Sequence, residues 1–397
     1  MLLRLAYRFL TRVSPRLAWK AAYLWAWKGL RAMRAYRRRV RRGELFPPFL
    51  FFALTDACNL RCRGCWIGNE NCQSRELTRE QVDQMIKIGR HHGSYFYTLL
   101  GGEPMLYGDI WSIVERHRDC YFQIISNGLF FDDAAADRIR RLGNVTPLVS
   151  IDGPEEINDQ RRGQGVFREA MAGLDRLRER KILYGVATTL TTANLASALT
   201  DEYVEQFVDR GAMYLWYYGF RPVGADPSPE LCMTQEQMLY FRRRLLELRR
   251  KHPIILIDTY WDAQGQAVCP AAKGLGFHIG PSGDIDPCPP LSFACETIDD
   301  HDGDLFRTIN ESTFLRSFQD FVNERTRGCV ILEQPDELAE FLRRSGVKDY
   351  SGRDALAELA ASQRRMSHHI PGGEQPEDSW LYRFLKKSLF FGMGGYG

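Results

Sequence analysis

The chain reads as an α/β protein: a parallel sheet with helices outside it, a small cysteine-rich C-terminal domain, and amphipathic helical segments at both ends. Three observations carry this reading. Apolar, β-rich runs at 50–55, 95–100, 121–125, 146–151, 183–190 and 213–218 alternate with helix-like segments at 78–91, 108–117, 132–141, 166–180, 200–210 and 234–250. The cysteines fall largely into two groups, Cys58, Cys62 and Cys65 early and Cys269, Cys288, Cys295 and Cys329 late. Residues 1–43 contain 13 Lys/Arg and no Asp/Glu, so the net charge of +3 leaves the rest of the chain at −10.

At the N-terminus, basic residues recur every four positions at Arg4, Arg8, Arg12, Arg16 and Lys20, tracing one helical stripe among Leu2, Leu3, Phe9, Leu10, Trp19, Tyr23, Leu24, Trp25 and Trp27. Ser14-Pro15 suits an N-cap and first helical residue, which divides the segment into two helices. The longest uncharged stretch within it, Ala21 to Trp27, is seven residues, far short of the ~20 needed to span a bilayer. Basic and Trp-rich faces instead suit a helix lying in a membrane interface, with the Arg37–Arg42 cluster toward anionic headgroups. The alternative is a helical pair packed on the sheet. Nothing resembles a base-reading module, so no nucleic acid is expected.

After the first strand comes Cys58-Asn59-Leu60-Arg61-Cys62-Arg63-Gly64-Cys65-Trp66. Thiolates at C-x3-C-x2-C on one loop can converge on a metal centre while supplying only three ligands. Structural zinc wants four protein ligands. An iron–sulfur cluster held by three cysteines keeps one iron open for another ligand. The second apolar run ends in Gly101-Gly102-Glu103-Pro104, where the glycines permit close backbone approach and Glu103 can pair with an ammonium group. The third ends in Ser126-Asn127-Gly128 and the fourth in Ser150-Ile151-Asp152-Gly153-Pro154, followed by Asn158-Asp159-Gln160-Arg161-Arg162-Gly163-Gln164-Gly165-Val166-Phe167.

In order and spacing these motifs resemble the radical S-adenosylmethionine (SAM) enzymes. The resemblance implies a partial (β/α)6 TIM-like barrel with its motifs at the C-terminal ends of the strands, where ligands bind in such folds. It implies a [4Fe-4S] cluster on Cys58, Cys62 and Cys65 that chelates SAM, and reductive SAM cleavage to a 5′-deoxyadenosyl radical that abstracts hydrogen from substrate. Gly101, Gly102, Glu103 and Pro104 would hold the SAM amino group, and Ser126, Asn127, Ser150 and Asp152 would border the ribose or carboxylate. An electron donor such as a flavodoxin or ferredoxin is implied too. One departure stands out: the family's aromatic residue before the third cysteine is Gly64 here, which leaves Trp66 to contact the adenine.

Downstream, Cys269 and Cys288 bracket a hairpin signal, Gly283-Asp284-Ile285-Asp286. This C-x13-G-x4-C resembles the opening of the SPASM/twitch extensions, which bind auxiliary iron–sulfur clusters. With Cys295 and Cys329 it implies one auxiliary [4Fe-4S] cluster; a zinc-stabilised appendage is the alternative. Cys72, Cys120 and Cys232 read as ordinary thiols. The paired His91-His92 and His368-His369 read as solvated, and Trp216-Tyr217-Tyr218 as strand packing. Ten cysteines in 397 residues, with no secretory signal before them, fit a reducing compartment.

The expected organisation is interface helices over 1–43, barrel over 44–255, auxiliary-cluster domain over 256–335, a polar helical extension over 336–370, and a linker with an amphipathic tail over 371–397. The tail's Trp380, Tyr382, Phe384, Leu385, Leu389, Phe390 and Phe391 accompany Arg383, Lys386 and Lys387. Two such ends favour a cytoplasmic enzyme peripheral on the inner membrane face, acting on a lipid or isoprenoid. A precursor peptide is the alternative substrate, and a non-catalytic metal-binding membrane adaptor the alternative class.

Overall fold

The computed structural model describes residues 2–67 and 75–388; Cys72 and the tail residues Leu389, Phe390 and Phe391 lie outside them. The six expected strands form within two residues of their expected bounds: β1 (Phe49–Ala53), β2 (Phe96–Leu100), β3 (Tyr121–Ser126), β4 (Val145–Ser150), β5 (Gly185–Leu190) and β6 (Tyr214–Gly219). They are mostly buried, which is why they read as nearly continuous apolar runs. β7 (Ile255–Ile257) extends the series; three residues are too few to stand out in the sequence. Together with β8 (His278–Ile279) and β9 (Ile285–Asp286), the sheet runs β7-β6-β5-β4-β3-β2-β1-β8-β9. Every pairing from β7 to β8 is parallel, and β9 returns antiparallel on β8.

Local chemistry sets the helix ends. Thr78 with Gln81 and Thr234 with Gln237 form capping boxes, starting the helices Arg79–His91 and Gln235–Lys251. Asp132 and Thr200 cap Asp133–Leu142 and Asp201–Arg210, which stop at the left-handed Gly143 and Gly211. The polar stretch after 333 is two short helices, Pro335–Arg344 and Ala355–Ala361, with Lys348–Asp349 between them paired to Phe293–Ala294.

The termini depart most from expectation. Ser14 does cap a second helix, its side chain accepting from Leu17 N, and a π-helical stretch Ala21–Trp27 links Pro15–Lys20 to Lys28–Arg41. This rod closes one side of the sheet. Ala21, Leu24, Met33 and Tyr36 pack with Phe49, Phe96 and Tyr121. Ala26 and Leu30 join Leu148, Trp216, Ile257, Tyr382 and Leu385.

Several N-terminal basic residues bond to backbone carbonyls at or just past the ends of barrel helices, while Arg4, Arg12, Arg38, Arg41 and Arg42 are exposed. Arg8 donates to Val208 O and Ala212 O, Arg16 to Arg141 O, Lys20 to Leu142 O, Lys28 to Asp119 O and Arg39 to His92 O. Each cation meets carbonyls at or just past the negative pole of a helix dipole. An amphipathic repeat specifies a charged face but not what that face meets, so the same pattern served both readings. Leu3, Tyr7, Leu10, Trp19, Tyr23 and Trp27 are nevertheless exposed.

The tail helix Trp380–Ser388 also turns inward. Lys386 is fully buried against Asp258 at 3.0 Å, and Arg249 bonds the same carboxylate at 2.6 Å. Arg242 meets Glu377 at 2.9 Å, completing a buried charge network. Among the described residues no helix is long and apolar enough to cross a membrane.

Candidate active site

The ends of β1 and β2 are joined by backbone contacts that only glycine permits. Gly102 N donates to Thr55 O and Glu103 N to Ala57 O, both at 2.8 Å. A Cβ on Gly101 would lie 2.2 Å from Thr55 O, and one on Gly102 2.2 Å from Ala57 O. The glycines therefore bring the cysteine loop's backbone against β2, a role the sequence had assigned to ligand approach.

Glu103 is 1 % exposed. Its Oε1 accepts from Ser126 Oγ at 2.8 Å and Met105 N at 3.1 Å, and its Oε2 from Asn127 N at 2.8 Å. Asn127 Nδ2 reaches Asn59 Oδ1, also at 2.8 Å, tying the end of β3 to the cysteine loop. Burial pushes the Glu103 carboxyl up to about 7 against these donors. Among the described residues no Lys or Arg forms an ion pair with it, so the geometry suits an arriving ammonium group. Ser150 ends β4 at the same rim, partly exposed.

Cys58, Cys62 and Cys65 lie within electrostatic reach of one another, and Cys58 within reach of Glu103. Burial pushes the Cys58 thiol up to about 11 and raises that of Cys62, where Arg162 and Arg161 oppose the rise. Thiolates here need positive charge beside them. Arg162 is the nearby cation: burial works against its charge, yet Asp152, Cys62 and Cys65 hold it protonated.

Asp152 is turned to these arginines. Its Oδ2 accepts from Arg162 Nε at 2.7 Å and from Arg161, and its Oδ1 from Thr189 N at 2.8 Å. The sequence placed Asp152 at the border of the ribose or carboxylate; in the fold its own carboxylate bonds Arg161 and Arg162. The Arg161 carbonyl in turn accepts from Arg63 N within the cysteine loop.

The loop after β6 was not anticipated as part of the site. A Cβ on Gly64 would fall 2.6 Å from the Phe220 ring, and one on Gly224 2.5 Å from Cys65 O. Phe220 thus brings an aromatic ring to Gly64 from a distant segment. Trp66, expected at the adenine, has its ring 5.7 Å from that of His278. It lines a shallow cleft with Thr55, Gly101, His278, Asp284 and Asp286.

Beside Phe220, Arg221 points into the second cysteine group. Its Nε donates to Cys329 Sγ at 2.9 Å and its Nη1 to Gly219 O and Phe220 O. Cys269 and Cys288 both feel Cys329 and Arg221, and burial raises both thiols, Cys269 to about 11. Cys295 does not join them: its Sγ lies 3.5 Å from Ser345 O and its charged neighbour is Glu296. It follows Phe293–Ala294, whose pairing with Lys348–Asp349 carries it away. Spacing along the chain could not show this.

Both triplets fit thiolate-bound iron–sulfur clusters. Each has a buried guanidinium to offset cluster charge, and Arg221 has no carboxylate partner among the described residues. Nor, among those residues, do three His, Cys, Asp or Glu side chains close round a single ion. A metal–sulfide cubane spreads its ligands more widely than one zinc ion does.

Comparison with known proteins agrees. Residues 52–210 match the Radical SAM superfamily. The sporulation killing factor maturation protein SkfB of Bacillus subtilis is 35 % identical over 241 residues, which are 59 % of this chain and 58 % of SkfB. The pre-heme d1 synthase of Dinoroseobacter shibae is 29 % identical over 57 % of this chain and 58 % of its own length. The chain thus spans less than two thirds of either relative. The fold matches Streptococcus suis SuiB bound to precursor peptide SuiA with a TM-score of 0.60 at 14 % identity, over 87 % of this chain and 79 % of SuiB. The family likeness thus covers residues 52–210, the span that holds the Cys58–Cys65 loop, Gly101-Gly102-Glu103, Ser126 and Asp152.

Proposed function

We propose that this chain reductively cleaves SAM and abstracts a hydrogen atom from a precursor peptide. The observation that carries the reading is the joining of the three-cysteine loop to Gly101-Gly102-Glu103, with a buried carboxylate beside the thiols that has no ion-pair partner among the described residues. Cys58, Cys62 and Cys65 would hold a [4Fe-4S] cluster, and Glu103 would receive the SAM ammonium. When bound, cluster and SAM supply the electron and the 5′-deoxyadenosyl radical. The chain's own residues position and shield: Asp152 fixes Arg161 and Arg162 beside the thiols, Asn127 holds the loop through Asn59, and Phe220 closes over Gly64. Cys269, Cys288 and Cys329 would hold an auxiliary cluster. Electrons would come from a flavodoxin- or ferredoxin-like donor, as the family resemblance implies.

The peptide is preferred to a lipid because Arg8, Arg16 and Lys20 of the basic stripe that suggested a membrane substrate bond barrel carbonyls. The SkfB likeness and the SuiB–SuiA fold likeness favour the same substrate class. Co-expression with each short peptide encoded beside the chain's own gene tests this by mass spectrometry. A mass change in one peptide, lost with Cys62→Ala, is the expected result. SAM cleavage with every such peptide unaltered would turn the reading toward a porphyrin or lipid.

Peripheral membrane contact is a second reading, favoured only by the exposed outer face of the N-terminal helices. If that face binds bilayers, Trp19→Ser, Tyr23→Ser and Trp27→Ser together should abolish flotation with anionic liposomes. Equal flotation of variant and parent, or none by the parent, removes it.

A further inference from the structure

A cubane closed entirely by protein needs four ligands, and the C-terminal group supplies three in one place: Cys269, Cys288 and Cys329. Cys295 stands apart against Ser345 O. The further thiol near Cys329 comes from the barrel itself. Cys232 follows the short turn Pro229–Leu231 in the loop after β6. It is 6 % exposed and belongs to a small apolar group with Phe220, Leu231 and Leu332, against which Cys329 packs. Its Sγ lies 3.9 Å from Met233 O, a long and weak contact for a thiol. Cys232 and Cys329 lie within electrostatic reach of each other and of Arg221, the buried guanidinium bonded to Cys329.

Resting on the auxiliary-cluster reading above, we propose that Cys232 is the fourth protein ligand of that cluster, in the place the sequence had given to Cys295. The ligand set then spans barrel and C-terminal region. The single loop from Phe220 to Cys232 touches both cysteine groups, through Phe220 at Gly64 and Cys232 beside Cys329. A cluster with four cysteine ligands has no iron open to substrate. Its role is therefore to accept or relay electrons rather than to anchor the peptide.

The test starts from a chain in which Cys58, Cys62 and Cys65 are all alanine, so that any iron counted belongs to the auxiliary site. After anaerobic reconstitution with iron and sulfide, this background should hold about four irons. Adding Cys295→Ser should leave both the iron count and the EPR spectrum of the reduced protein unchanged. Adding Cys232→Ser should shift that EPR spectrum. Cys232→Val fills the same apolar space without a ligating atom, so it should keep the thermal transition while mild oxidation yields a [3Fe-4S] signal. Unchanged iron and spectra in both Cys232 variants would overturn the proposal and leave the auxiliary cluster standing with an open iron. A background without iron would overturn the auxiliary-cluster reading itself, and this proposal with it.

Discussion

At the scale of single residues, Glu103 has the most direct consequence. Its ordinary value is 4.5, and burial lifts it to about 7. Between those two values the folded protein keeps a proton that the unfolded chain gives up, so this group's contribution to stability falls as pH rises through that window. An ammonium bound at Glu103 reverses the preference, since it favours the ionised carboxylate. SAM affinity should therefore rise as pH increases through about 7, and Glu103→Gln should weaken binding and flatten that rise. Isothermal titration of the reconstituted protein at several pH values measures both. A wild-type affinity independent of pH would show that Glu103 does not meet the ammonium. The grouping of Cys58, Cys62 and Cys65 near Glu103 was legible in the sequence because it depends on residue type, short spacing and the order of the strand ends. The partners of Asp152 and Trp66 were not legible, because Arg161 and Arg162 meet one and His278 the other only in the folded chain.

At the scale of elements, the N-terminal rod acts as a set of helix caps. Arg8 is 8 % exposed, and burial lowers its guanidinium to about 10, yet it holds the Val208 and Ala212 carbonyls at 2.6 and 3.0 Å. Charge-assisted hydrogen bonds of this kind contribute about 1.5–3 kcal/mol. Arg8→Met, which keeps much of the stem's packing, should lower unfolding free energy by about 2 kcal/mol in a denaturant titration. No loss of stability would place the rod loosely on the barrel. Strand and helix positions were legible because each βα unit repeats an apolar run and a capped amphipathic helix. The destination of the basic stripe was not, because a period of four fixes a face and not its partner. β7 escaped notice for its length, and the helix Glu155–Arg162 because it is polar, with only Asn158 and Asp159 buried.

At the scale of the whole molecule, the two cysteine groups belong to one continuous structure. β8 and β9 extend the sheet beyond β1, so the hairpin leading to Cys288 grows from the same edge as the Cys58 loop. The loop after β6 closes the other side, with Phe220 on Gly64 and Arg221 on Cys329. This juxtaposition joins residues more than a hundred positions apart, which is why sequence showed two cysteine sets but not their common wall. The tail is drawn in by Lys386, whose ammonium burial lowers to about 8 while Asp258 supports its charge.

The most direct test of the account is SAM turnover by anaerobically reconstituted protein with dithionite, read as 5′-deoxyadenosine. The wild type should yield that product, Cys62→Ala should lose it, and Glu103→Gln should give markedly less. Bound iron with no 5′-deoxyadenosine from the wild type, or equal yields from wild type and Cys62→Ala, would contradict the assignment of Cys58, Cys62 and Cys65 to SAM chemistry.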